Sequence, residues 1–321
     1  MKIFPLHLIP NDTNVNFMRL RWLSIGIATA LAVVAVWAIA FKGFNFALDF
    51  TGGTLVELHF DKPVEVDAMR ERIEGAGYTS AQVQSYGSSS DLLVRLQARD
   101  GATTSAASNT VAAEVLKVVS TAENPARIAR SEFVGPQVGA DLAKNAFYAL
   151  AFVIVGFLIY IAFRFEWKFA VAAILTTLHD VLIVAGFFAL TGREFDLTVL
   201  AGLLSVMGYS INDTIVVFDR VRENFRNLRA EPVEVLNRSV NQTLSRTIIT
   251  SFVAFLTVLA LYIYGGGSLE GMAISQMLGI VIGTISSIFI ACPLLTMAFM
   301  KVTKQDLMPK AKDLEALARR P

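Results

Sequence analysis

Four ionisable residues stand in or beside long apolar runs of this chain: His179, Asp180, Asp213 and Arg246. Hydrocarbon makes such side chains costly, so those within a membrane span face a bundle interior and mark ion or proton pathways. Asp213 and Arg246 are displaced toward the same end of their runs and could pair across a bundle. Burial raises a carboxylate's pKa and a nearby arginine lowers it. If the arginine moves away, the carboxylate takes up a proton, which is the physical basis of a relay. The alternative is a static ion pair that fixes helix packing. His179 and Asp180, with Asn212, could extend a relay. Equally, His179 and Asp180 could satisfy each other and the nearby Thr176 and Thr177, and this structural role is the favoured one.

The spacing of neighbouring residues says how these groups must be held. Gly202, Ser205, Tyr209, Asn212, Asp213 and Val216 share one helical face. That face is small and polar, so it should point into the bundle. Arg246, Thr250, Val253 and Thr257 share another face at near-heptad spacing. Ser275, Gly279, Gly283 and Ser287 recur every four residues, with Gln276 beside them. This is the small-xxx-small pattern of closely packed helices, read here as a face offered to a partner.

The composition fits a membrane. Hydrophobic residues make up 54% of the 321 and charged residues 17%, against about 25% charged in a soluble domain. Mean hydropathy is +0.55. The net charge of +1 gives no electrostatic case for nucleic acid. Cys292, the lone cysteine, cannot form an internal disulfide, and three scattered histidines make no structural zinc site, so no metal is expected. A spanning helix needs about 20 mostly apolar residues. Six stretches qualify: Trp22–Phe41, Leu142–Phe163, Phe169–Leu190, Leu197–Phe218, Arg246–Tyr264 and Met272–Phe299. The first is too long for a signal-peptide core and is read as an uncleaved anchor.

Lysine and arginine placement sets the expected orientation. Lys2, Arg19 and Arg21 precede the first span. Arg164 and Lys168 lie between the second and third, and five arginines from Arg220 to Arg238 between the fourth and fifth. The tail is also basic. Both termini should therefore be cytoplasmic, with residues 42–141 outside. The expected divisions are 1–21, a cytoplasmic N-terminus; 22–41, a span; 42–141, an extracytoplasmic domain; 142–299, a five-helix bundle; and 300–321, a cytoplasmic tail. The outer domain should carry strands at Thr54–Phe60, Ala81–Tyr86, Leu92–Gln97 and Arg127–Val134, and helices at Val64–Ala76 and Asn109–Ser120. This βαββαβ order is the ferredoxin-like split motif. Gly87–Asp91 should be a turn, and Asp100–Ser108 mobile. His59 reads as a strand surface residue. Glu65, Asp67, Glu71 and Glu74 read as a solvated helix face.

Several strings carry a family resemblance. Phe46-Ala-Leu-Asp-Phe-Thr-Gly-Gly-Thr54 follows the first span, and Phe133-Val-Gly-Pro-Gln-Val-Gly139 closes the outer domain. Gly208-Tyr-Ser-Ile-Asn-Asp-Thr-Ile-Val-Val-Phe-Asp-Arg-Val-Arg-Glu-Asn224 ends the fourth span. Asn241-Gln-Thr-Leu-Ser-Arg-Thr-Ile248 opens the fifth. Gly265-Gly-Gly-Ser-Leu269 precedes the sixth, which contains Gly283-Thr-Ile-Ser-Ser-Ile-Phe-Ile-Ala291. Together they resemble the SecF family, the membrane subunits of bacterial SecD–SecF translocation accessory complexes. Met272 stands where that pattern suggests Phe and conserves its bulk.

The resemblance implies a polytopic α-helical protein in the bacterial inner membrane, forming half of a resistance-nodulation-division-type bundle. SecD would supply the other half, SecYEG would be the channel served, and YajC a companion. The implied work is proton-driven assistance to polypeptides leaving the membrane, with protons as the coupling ion and no cofactor. Asp213 and Arg246 fall on family positions linked to proton conduction. A self-sufficient homodimeric exporter of small molecules or lipids is the competing reading. The small outer domain shows no aromatic-lined pocket and speaks against it. No nucleophile–base pair supports an enzyme.

Overall fold

The computed structural model describes residues 13–78, 81–86, 88–96, 105–297 and 299–303. Within them the longer helices are α1 (Arg21–Phe41), α2 (Val66–Gly75), α3 (Ser105–Val119), α4 (Pro136–Arg164), α5 (Trp167–Thr191), α6 (Leu197–Asn227), α7 (Pro232–Tyr264) and α8 (Gly267–Ser286). The strands of the larger sheet are β1 (Gly53–Phe60), β2 (Gln82–Tyr86), β3 (Ser88–Leu96) and β4 (Ala126–Val134). One compact unit is Phe46–Ala149; the remainder of the chain forms the other.

Among the described residues, six helices are long and apolar enough to cross a membrane: α1 with its leading turn, α4, α5, α6, α7 and the α8 region. The chain is a polytopic helical membrane protein. About half of the apolar stretch of α5, α6 and the α8 region is buried, while α1, α4 and α7 are largely exposed. A shared core gathers Phe169, Phe218, Val221, Leu236 and Leu295. Phe169 and Phe218 meet edge-to-face, with ring centroids 5.2 Å apart. The outward faces carry Phe152, Phe163, Phe252 and Ile263, as hydrocarbon-facing helices require.

Helix ends follow local chemistry more closely than hydropathy does. Asp196 caps α6, its carboxylate accepting from Val199 N at 2.7 Å. Pro232 opens α7 in the first turn, where a missing N–H costs nothing. Gly192 ends α5 in the left-handed region at φ 68°. The fourth span, read as ending at Phe218, continues helical to Asn227. Helix α7 likewise starts well before Arg246. Hydropathy marks only the apolar stretch of a helix, and these extensions are charged. They are tied together by Asn224 Nδ2, which donates to Ser239 Oγ and Gln242 Oε1, each at 2.9 Å. The sixth span was expected to run helical to Phe299. Instead α8 gives way to a π-helical turn at Ser287–Ala291 and ends soon after. Pro293 has no N–H to give and would clash with the carbonyl one turn back; the wider turn relieves both.

In the unit Phe46–Ala149 the sheet order is β2-β3-β1-β4, all antiparallel. Its helix-facing side buries Val56, Leu58, Phe60, Val94 and Leu96 against Ile73, Ala112 and Val115. The stretch Gly87–Asp91, read as a turn, is mostly strand, since β3 begins at Ser88. Asp91 lies opposite His59 and bonds it, which extends the ladder. Helix α3 begins at Ser105, inside the stretch read as mobile. Gln97, residues 100–104 and most of the tail lie outside the described residues. At the head of β1, Gly52 and Gly53 have φ of 66° and 130°, open to glycine alone. A Cβ on Gly53 would sit 2.3 Å from Leu96 O, and one on Gly52 2.9 Å from Pro136 Cα. The double glycine is where three segments meet backbone to backbone.

Candidate functional site

The polar residues of the spans form two hydrogen-bonded clusters around the middle of α6. The first centres on Asp180 of α5, which is fully buried. Its Oδ2 accepts from Ser210 Oγ of α6 at 2.6 Å and from Ser286 Oγ of α8 at 2.5 Å. His179 Nδ1 lies 3.0 Å from its Oδ1. A single carboxylate thus joins three helices. Thr176 and Thr177, the neighbours expected from sequence, play no part in it. Thr176 bonds its own helix at Ala172 O, and Thr177 Oγ1 has no hydrogen-bond partner among the described residues. Ser210 and Ser286 were missed because helical periodicity on α5 cannot show which residues α6 and α8 bring to it.

The second cluster joins α6, α7 and α8. Tyr209 OH donates to Ser251 Oγ at 2.6 Å, and Thr284 Oγ1 lies 2.7 Å from the same oxygen. Ser251 in turn donates to Thr247 O at 2.6 Å. Beside it opens a cavity of about 240 Å³ lined by Ser205, Tyr209, Thr257 and Gln276 among apolar residues.

Asp213 follows Tyr209 and Ser210 by one helical turn. It is 4% exposed, and its Oδ2 is buried without a hydrogen-bond partner among the described residues. Helices α6 and α7 run antiparallel, and the Tyr209–Ser251 bond sets their register. Four residues further along α6 and four back along α7 place Asp213 level with Thr247, next to Arg246. Thr247 Oγ1 is likewise buried and unpartnered. Arg246 is exposed. The ion pair expected between Asp213 and Arg246 is not formed: among the described residues neither joins a salt bridge within 4.0 Å. The reason is angular. Arg246 and Thr247 point about 100° apart on α7, and it is Thr247 that turns inward.

The two faces read from sequence divide in the same way. On α6, Gly202 and Asp213 are buried, Tyr209 is half-buried, and Ser205 and Asn212 are exposed. Asn212 therefore does not join Asp213 inside this chain. On α7, Arg246, Thr250, Val253 and Thr257 are all exposed. A largely polar strip on spanning helices, interrupted by Val253, is thus left uncovered by the described residues. The glycine stripe of α8 turns the other way. Added Cβ atoms would lie 1.9 Å from Ser275 Oγ at Gly202, and 2.0 Å from Val206 Cγ2 at Gly279. At Gly283 one would lie 3.4 Å from Ser210 Cβ. Ser275 and Ser287 are fully buried. The stripe packs α8 onto α6 within the chain and is not a free face for a partner.

With this geometry in place, similarity to known proteins decides the family. Residues 114–301 match the family described as "Protein export membrane protein SecD/SecF, C-terminal", and residues 37–64 match the "SecD/SecF GG Motif". The chain is 43% identical over 288 residues to the protein translocase subunit SecF of Escherichia coli O157:H7, covering 89% of this chain and 88% of that one. The chain belongs to the SecF family. It is also 45% identical over 307 residues to the SecF of Pseudomonas aeruginosa, covering 93% of this chain and 96% of the relative. The solved structure of SecDF, a translocon-associated membrane protein from Thermus thermophilus, superposes with a TM-score of 0.80 at 39% identity. That match covers 90% of this chain but 39% of the SecDF chain. The matched GG motif contains Gly52 and Gly53, whose contacts account for its glycines.

Proposed function

We propose that this chain is the SecF-type half of a proton-driven accessory to the Sec translocon. SecD would complete the helix bundle. SecYEG would be the channel served, YajC a companion, and an emerging polypeptide the substrate. The observation that carries this reading is the polar strip of Ser205, Asn212, Arg246, Thr250 and Thr257, exposed on helices that cross a membrane. Thr250 and Thr257 bond carbonyls of their own helix, but hydrocarbon cannot satisfy the Asn212 amide or the Arg246 guanidinium, so a second polar bundle would face this strip. Membership of the SecF family and the likeness to a longer SecDF chain support SecD as that bundle.

In this reading Asp213 is the proton carrier. Its unpartnered oxygen lies one helical turn from the Tyr209, Ser251 and Thr284 hydroxyls, and Arg246 is the movable charge that sets its state. Asp180 and His179 hold the helices that frame it, and Asn212 faces the partner. Both termini lie in the cytoplasm, with the sheet-bearing unit outside. That unit is read as a ferredoxin-like module from its βαββαβ order and its β2-β3-β1-β4 arrangement. It would receive the polypeptide. Affinity purification from membranes tests the partnership. A stoichiometric SecD supports it, and a stable homodimer without SecD would instead favour a self-contained exporter.

A further inference from the structure

A second cavity lies on the opposite side of the bundle, where α1 runs beside α5 and α8. Its volume is about 290 Å³. Leu23, Ile27 and Leu31 of α1 form one wall; Ile183, Ile285 and Phe289 form much of the other. The described residues do not close it: Leu23 is 60% exposed, Ile27 53% and Ile285 52%. These residues lie on membrane-spanning helices, so the open side meets lipid and not water.

The dimensions select the occupant. On α1 the lining runs from Leu20 to Leu31, about 16 Å at the helical rise. That is about half the 30 Å hydrocarbon core, or one leaflet. A partner helix would need a groove along the whole span. A single acyl chain needs this one. The groove begins at Leu20, flanked by Arg19 and Arg21, at the end of α1 where a headgroup would sit. Arg19 is exposed, and among the described residues neither arginine is ion-paired. We infer that this groove is a binding site for one acyl chain of an anionic phospholipid, with its phosphate held at Arg19 and Arg21. At the inner end His179 lines the cavity, its Nε2 unpartnered among the described residues and its Nδ1 beside Asp180. The bound chain therefore ends against the Asp180 junction.

Photo-labelling tests this. The full chain in its membrane complex is reconstituted in phosphatidylcholine vesicles containing trace phosphatidylglycerol with a diazirine on the acyl chain, and cross-links are mapped by mass spectrometry. They should concentrate on residues 20–31 and 282–290, and unlabelled phosphatidylglycerol should compete. Ser24→Phe fills the groove and should abolish them. Should that variant fail to assemble, Leu23→Ser with Ile27→Ser makes the exposed wall polar without adding bulk and should abolish them too. Arg19→Gln and Arg21→Gln should each weaken retention about fivefold, the usual worth of one basic residue near an anionic surface. Labelling of the exposed α4 face at Phe152 and Phe163 as strong as that of the groove would overturn the site. So would labelling unchanged in the wall variants. Equal competition by phosphatidylcholine would overturn the anionic assignment.

Discussion

At the scale of single residues, the two buried carboxylates of the bundle have opposite surroundings. Asp180 accepts from two serines and lies beside a histidine; one oxygen of Asp213 has no partner among the described residues. The first arrangement suits a fixed junction and the second a group that changes protonation. Asp180→Leu should therefore act on stability: it strands the Ser210 hydroxyl, at about 1–3 kcal/mol, while Ser286 keeps Gly283 O as an acceptor. A lowered thermal midpoint in detergent is the expected reading, with Asp180→Asn milder because one acceptor oxygen remains. Asp213→Asn should leave the midpoint and the assembly near wild type while abolishing proton-gradient-stimulated export in membrane vesicles; ATP-driven early translocation should persist. Arg246→Met should uncouple in the same way. If the pair mattered only for packing, the Asp213→Asn/Arg246→Met double mutant would regain export, and full recovery would defeat the relay. Outside the membrane, Asp91 is held below its ordinary value of 3.8, first by the Ser88 hydroxyl and then by His59. A depressed carboxylate contributes stability above its ordinary value and loses it as pH falls through the lowered one. Asp91→Asn should flatten the acid limb of that unit's stability, read by proteolysis of the intact chain across the range below pH 3.8.

At the scale of elements, the close approach of α6 and α8 depends on residues without side-chain bulk. A leucine at Gly279 would drive atoms into Val206, where a Cβ alone would already stand 2.0 Å from Cγ2. Gly279→Leu is expected to abolish accumulation of the folded chain even without SecD. Gly156→Ala on α4 meets nothing within 4 Å and should be neutral or slightly stabilising, by up to about 1 kcal/mol of helix propensity. Expression and melting of the two variants side by side check both. A defect at Gly279 confined to SecD binding would return the stripe to its role as a partner face.

At the scale of the whole molecule, orientation is the property most directly measured. The basic residues cluster on one set of connections, and Ser89 is exposed at the start of β3 in the sheet-bearing unit. Ser89→Cys should react with an impermeant thiol reagent in intact cells. Cys292, fully buried, should stay silent and leave the background low. Labelling of a cysteine in the tail and not at Ser89 would reverse the orientation.

The six spans, the family and the candidate ionisable residues were legible in the amino-acid sequence. Each rests on local quantities: twenty apolar residues in a row, a charge inside such a run, or a long ordered motif. Pairing was not legible. Asp213 and Arg246 looked like an ion pair because both are charged and lie near the same end of their helices. The rotation of α7 instead turns Thr247 inward and leaves Arg246 exposed. The α8 stripe looked like a partner's face, yet α6 of the same chain occupies it. Asp180 does pair with His179 of its own helix as expected, but its other partners, in place of Thr176 and Thr177, came from two other helices. Periodicity specifies which residues share a face of one helix. Which face meets which neighbour depends on the rotation and crossing of helices far apart in sequence. Side-chain volumes and hydrogen bonds across the whole bundle settle that together.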